Sequence, residues 1–149
     1  MAHGRKKSLE LTPYFDLLLK TRYRKTASAK ASMPKNLLLV DNEPYSRNIV
    51  AEFLREEGYQ VNEADDGVSA LQLLDNKNFD LLICDLLMPR ISGFDVIAQM
   101  KSRSLSIPVI FITGYPEALV EKGLGDLPRF TKPFNLYDLL HKVRELLTA

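Results

Sequence analysis

Apolar residues in this chain come in short blocks that switch between two periods. Near-continuous apolar runs of strand length occur at 36–41, 79–84 and 109–112, and they read as strands covered on both faces. Weaker strand signals fall at 60–63 and 129–131. Between them the spacing becomes helical. A helix is predicted over 44–57, with Ile49, Val50, Phe53 and Leu54 on one face and Gly58 as its stop. Asp65-Asp66-Gly67 leads into a second helix with Ala70, Leu71, Leu73 and Leu74 inward. Further helices are predicted at 93–102, at 117–122 (short) and at 136–147. Five βα units with short connections predict a parallel sheet with helices on both faces.

The polar residues that end the strand runs are unusual as a set. The run through Ile83 and Cys84 stops at Asp85, and Leu37–Val40 stops at Asp41-Asn42-Glu43. The remaining two runs end at Thr113 and Lys132. In an open parallel sheet the C-terminal strand ends are where ligands gather. A carboxylate, an acidic cluster, a hydroxyl and an ammonium there make a candidate phosphate and metal site.

Four motifs, in order, carry a family resemblance: Asp41-Asn42, Asp85 with Met88-Pro89 and Gly93, Ile112-Thr113-Gly114, and Thr131-Lys132-Pro133-Phe134. Over residues 36–149 the chain resembles a receiver domain of bacterial two-component response regulators. The resemblance implies a flavodoxin-like (βα)5 doubly wound sheet with strand order 2-1-3-4-5. It implies that Asp85 is the phosphoacceptor, that Lys132 contacts a phosphoryl oxygen, and that Thr113 is the switch hydroxyl. It places Mg2+ on Asp41, Asn42, Asp85 and the backbone carbonyl of Leu87, and makes the Lys132–Pro133 peptide cis. An aspartyl acyl phosphate needs such neutralisation of the incoming oxygens. Implied partners are a histidine kinase or histidine phosphotransferase and a downstream protein target, met through the fourth helix, fifth strand and last helix. The module is then a phosphoryl acceptor and not a turnover enzyme.

The chain departs from the family pattern in two places. Asn42 stands where a second aspartate is usual, which removes a formal charge and predicts weak Mg2+ binding, with Glu43 as a candidate auxiliary ligand. This supports an alternative reading as a phosphorylation-independent pseudo-receiver. Arg129 occupies the position of the usual switch aromatic, with Phe130 beside it, and Phe111-Ile112-Thr113-Gly114-Tyr115 resembles the FATGUY-type subfamily, in which Tyr115 is a candidate reporter. The resemblance implies that Leu87 and Tyr115 border the path of an attacking water, and neither is a carboxylate or amide suited to orienting it. A haloacid dehalogenase-type hydrolase would want an aspartate at position 87, where this chain has leucine.

Composition adds a division. The chain has 20 Lys/Arg and 19 Asp/Glu over 149 residues; nine and two of these lie in residues 1–35, leaving 11 and 17 for the rest. The N-terminal segment is therefore +7 and the remainder −6. A basic tail implies an anionic partner, either a separate surface or the receiver itself. Within it, Thr12-Pro13 suits the start of a short docking or partner-binding helix at 13–24, the alternative being a disordered solubilising tail over residues 1–35, and 26–32 reads as a linker. No DNA-binding domain fits in 35 residues, so the expectation is a stand-alone receiver. There is no apolar run of transmembrane length and no signal segment at the N-terminus, which predicts a cytoplasmic protein. The lone Cys84 fits a reducing compartment and reads as a small core residue.

Overall fold

The structure is a computed structural model that describes residues 33–148. The predicted tail helix and linker lie outside the described residues. Ten elements alternate: β1 Asn36–Val40, α1 Pro44–Glu56, β2 Gln60–Ala64, α2 Gly67–Asn76, β3 Leu81–Asp85, α3 Gly93–Ser102, β4 Val109–Thr113, α4 Glu117–Glu121, β5 Arg129–Thr131 and α5 Leu136–Thr148. All strands are parallel and lie in the order β2-β1-β3-β4-β5, so the topology switches between β1 and β3.

Alternating side chains of the inner strands feed two separate cores. Leu38, Val40, Leu82, Cys84 and Phe111 pack with Ala70, Leu74, Val96, Ile97 and Met100 of α2 and α3. Leu37, Leu39, Leu81, Ile83, Ile110 and Ile112 pack with Val50, Ala51 and Leu54 of α1 and Leu139, Leu140 and Val143 of α5. Burial on both faces explains why β1, β3 and β4 are apolar without alternation. The edge strand β5 has only one neighbour, and its outer residues stay accessible.

Element ends moved by one or two residues from expectation. β3 begins at Leu81, and Asp80 just before it meets the start of β1 twice: its N–H donates to the Asn36 carbonyl at 2.8 Å and its Oδ2 accepts the Asn36 N–H at 2.7 Å. Phe79 is nevertheless buried in the core below. β2 runs on to Ala64, whose carbonyl accepts the Asp41 N–H at 3.1 Å just beyond β1. α1 ends as its sequence requires: Glu57 caps it and Gly58 takes φ 99°, the left-handed position that costs glycine least. Asp66 caps α2, and a reciprocal Ser92–Asp95 capping box starts α3. Of the predicted apolar positions, Ile49 is half-exposed instead of inward. Among the described residues no helix is long and apolar enough to cross a membrane.

Candidate functional site

Four strands, β1, β3, β4 and β5, deliver polar side chains at or just beyond their ends to a single crevice at the C-terminal edge of the sheet. Asp41 follows β1, Asp85 closes β3, Thr113 closes β4, and Lys132 follows β5. Asp41 and Thr113 are fully buried, and Asp85 is 7% exposed. The Lys132 ammonium lies 3.0 Å from Asp41 Oδ2 and 3.3 Å from Asp85 Oδ2, bridging two carboxylates that would otherwise repel each other. Lys132 N–H also donates to the Thr113 carbonyl at 2.8 Å, which extends the β4–β5 pairing to the site. The Lys132–Pro133 peptide is cis, as expected.

Burial, followed by the charge of Asp41, lifts the Asp85 carboxyl above its ordinary range; Lys132 pulls it part of the way back. Burial by itself would lower the Lys132 ammonium, but its hydrogen bond to Asp41 and the charges of Asp85 and Asp41 outweigh that and raise it. The second Asp85 oxygen accepts the Leu87 N–H at 3.3 Å, and Asp41 Oδ1 accepts the Glu43 N–H at 3.0 Å. Thr113 Oγ1 accepts the Tyr115 N–H at 2.9 Å.

Gly93 supports the site from beneath. A Cβ there would lie 2.7 Å from the Asp85 carbonyl oxygen and 3.0 Å from Leu86 Cα, so α3 reaches the end of β3 only through glycine. Its N–H donates to the Leu86 carbonyl at 2.8 Å.

The remaining candidates separate into those at the crevice and those turned away. Asn42 is exposed beside Asp41, Leu87 is 46% exposed and Tyr115 is 59% exposed at the rim. Glu43 is the N-cap of α1, and its carboxylate accepts from Tyr45 N–H at 3.1 Å and Ser46 N–H at 2.6 Å. Each oxygen of the carboxylate that the sequence offered as an auxiliary ligand thus accepts one helix N–H. Arg129 is exposed with its guanidinium on the Gly125 carbonyl, while Phe130 packs against Phe134 with ring centroids 5.9 Å apart. Cys84 is fully buried, and burial, then the charges of Asp85 and Asp41, push its thiol well up, so it is an unreactive core residue.

The residues that would hold a cation offer hard oxygens: the Asp41 and Asp85 carboxylates, the Asn42 amide and the Leu87 backbone carbonyl. Among the described residues no group of three or more His, Cys, Asp or Glu gathers for a metal, since asparagine holds position 42 and Glu43 is committed to its helix. Two carboxylates with neutral oxygens fit a cation that keeps several waters, as Mg2+ does, and do not fit a closed zinc cage.

Sequence reasoning missed Arg47. Its Nη1 donates to the Asp41 carbonyl at 2.7 Å and its Nε to Glu63 Oε1 at 3.3 Å. The available signal was a cation in the first turn of a helix, where the helix dipole disfavours it.

Comparison with known proteins agrees with this geometry. Residues 37–144 match the family model described as the response regulator receiver domain. The chain is 36% identical over 119 residues to the transcriptional regulatory protein PdtaR of Mycobacterium tuberculosis, a match covering 77% of this chain and 58% of that protein. It is 35% identical over 115 residues to response regulator RR06 of Streptococcus pneumoniae, covering 75% and 52%. The chain thus spans little more than half the length of these curated relatives. Among solved structures, response regulator TrrA of Thermotoga maritima, in complex with Mg2+-BeF, superposes with a TM-score of 0.68 at 35% identity, covering 76% of this chain and 99% of that one. Chemotaxis response regulator CheY4 of Vibrio cholerae superposes with a TM-score of 0.70 at 31% identity, covering 77% and 100%. Sequence match, strand order and the convergence of Asp41, Asp85, Thr113 and Lys132 thus lead to one assignment: the chain belongs to the response regulator receiver domain family of two-component signalling.

Proposed function

We propose that Asp85 accepts a phosphoryl group from a histidine kinase or histidine phosphotransferase in the cytoplasm, and that the phosphorylated domain signals by contact with a protein target. The observation that carries this reading is the Lys132 ammonium held between the buried Asp41 and Asp85 carboxylates, with the Thr113 hydroxyl on the adjoining strand.

In the transfer, an Asp85 carboxylate oxygen forms a bond to phosphorus while the phosphorus–nitrogen bond of the donor phosphohistidine breaks. The imidazole leaves with that electron pair and takes up a proton. Lys132 exchanges its contact with Asp85 for one with a phosphoryl oxygen, so the cation is already in place when charge arrives. Thr113 gives up the Tyr115 N–H and turns its hydroxyl toward a second phosphoryl oxygen. Asp41, Asn42, Asp85 and the Leu87 carbonyl would hold Mg2+, which when bound neutralises the oxygens of the group in transfer. Asn42 makes that hold weaker than a second aspartate would. Leu87 and Tyr115 at the rim offer no carboxylate or amide suited to orienting water toward the acyl phosphate and are bulky enough to obstruct it, so hydrolysis should be slow.

A small acyl phosphate donor with Mg2+ should add one phosphoryl group by intact mass, stable in acid and lost in base, with none on Asp85→Asn. An unchanged mass at high Mg2+, or equal labelling of Asp85→Asn, would overturn the proposal. That result would favour the pseudo-receiver reading, which Asn42 and the absence of a third converging acid among the described residues support.

A further inference from the structure

From the contacts of the acidic loop we infer that Arg47, clamped by Glu63, is a positioning residue that holds Asp41 and Asn42 in the orientation required for Mg2+; this rests on the receiver function proposed above. Arg47 is the fourth residue of α1, and a cation there opposes the positive end of the helix dipole. Its side chain is only 18% exposed and does not extend into solvent. It turns back beneath the loop, where Nη1 gives the Asp41 carbonyl a 2.7 Å charge-assisted hydrogen bond.

Asp41 is consequently fixed on every side. Its N–H donates to Ala64 of β2, its carbonyl accepts from Arg47, and its two carboxylate oxygens accept from Glu43 N–H and Lys132 Nζ. The Asp41 carbonyl belongs to the peptide unit that leads into Asn42. Rotation of that unit would swing the Asn42 side chain, so the Arg47 bond restrains both proposed ligands at once.

Glu63 has a second part in the arrangement. Its carboxylate takes Arg47 Nε at 3.3 Å on one oxygen and Arg55 Nη2 at 3.1 Å on the other. Through the first of these contacts alone it aims the Arg47 guanidinium and supplies a negative charge beside it, so a cation entering the crevice meets less repulsion. Arg55 touches Glu63 and the Val61 carbonyl but does not reach the acidic loop, which makes it the natural control.

The test uses the full 149-residue chain with Arg47→Met, Arg47→Lys and Arg55→Met. Mg2+ alone is titrated by calorimetry or amide NMR, and labelling from acetyl phosphate is followed at saturating Mg2+. Arg47→Met should weaken Mg2+ about tenfold, in the range of losses found for groups that orient metal ligands. Labelling should recover at saturating metal, Arg47→Lys should restore part of the affinity, and Arg55→Met should leave it unchanged. Amide exchange without metal supplies an independent measure: Asp41 and Glu43 N–H groups should lose protection in Arg47→Met and keep it in Arg55→Met. Equal Mg2+ affinity in Arg47→Met and wild type, or an equal loss in Arg55→Met, overturns the inference. If wild type binds no Mg2+ and takes no label, the receiver function fails instead, and unchanged Asp41 and Glu43 protection in Arg47→Met then overturns the positioning role as well.

Discussion

Replacing Lys132 by methionine tests the electrostatic logic of the site most directly. Methionine keeps an unbranched apolar stem but removes the charge that lies 3.0 Å from Asp41 and 3.3 Å from Asp85. Each contact corresponds to about 5 kcal/mol between unit charges at an effective dielectric constant of about 20, before the cost of desolvation. Removing one member of a buried ionic pair costs about 3–5 kcal/mol. Because the lysine side chain is 26% exposed, water screens part of this, and a net loss of about 2–4 kcal/mol at neutral pH is expected. The loss should depend on pH. Asp85 already sits above the ordinary carboxylate range through burial, and without Lys132 the charge of Asp41 acts on it unopposed. An acid raised by folding contributes stability fully below its unfolded pKa and loses that contribution as pH rises through the folded value. The deficit of Lys132→Met should therefore be large at pH 7 and should shrink toward about pH 4. Urea unfolding at both pH values, on Lys132→Met, Asp85→Asn and the double variant, measures it. Asp85→Asn should rescue the Lys132→Met background more than it stabilises wild type. Equal losses at both pH values, or additive single effects, would refute the role of Lys132 as the counter-charge.

Three further outcomes are expected. Asn42→Asp should tighten Mg2+ measured by titration, since it restores a carboxylate; unchanged or weaker affinity means that Asn42 is not a ligand. Leu87→Asn should speed loss of phosphate once the donor is removed, followed by intact mass; slower loss than wild type means that water access does not govern the decay. Gly93→Ala should cost about 1–3 kcal/mol in urea unfolding through its clash with the Asp85 carbonyl and Phe111, and stability equal to wild type would show that β3 and α3 can move apart.

Much of this protein could be read from the order of its residues. Apolar runs that end in Asp41, Asp85, Thr113 and Lys132 marked both the strands and the site, because a doubly covered parallel strand is apolar throughout and must become polar where it meets solvent. The four motifs also carried the strand order, through resemblance to a family. Local rules were enough for the stop at Gly58 and for the helical units. Contacts between distant segments were beyond them. That Lys132 bridges two carboxylates 91 and 47 residues away follows from β5 lying beside β4 and β3 beside β1, which no local period encodes. Glu43 was read only as a neighbour of Asp41, and its place as the cap that accepts the free N–H groups of α1 is what the structure adds. Arg47 was missed altogether, since only the packing of α1 against β2 turns its guanidinium under Asp41 and onto Glu63. Sequence spacing determines which side chains a strand delivers to its end, whereas the choice among competing partners depends on distances that exist only once the sheet has assembled.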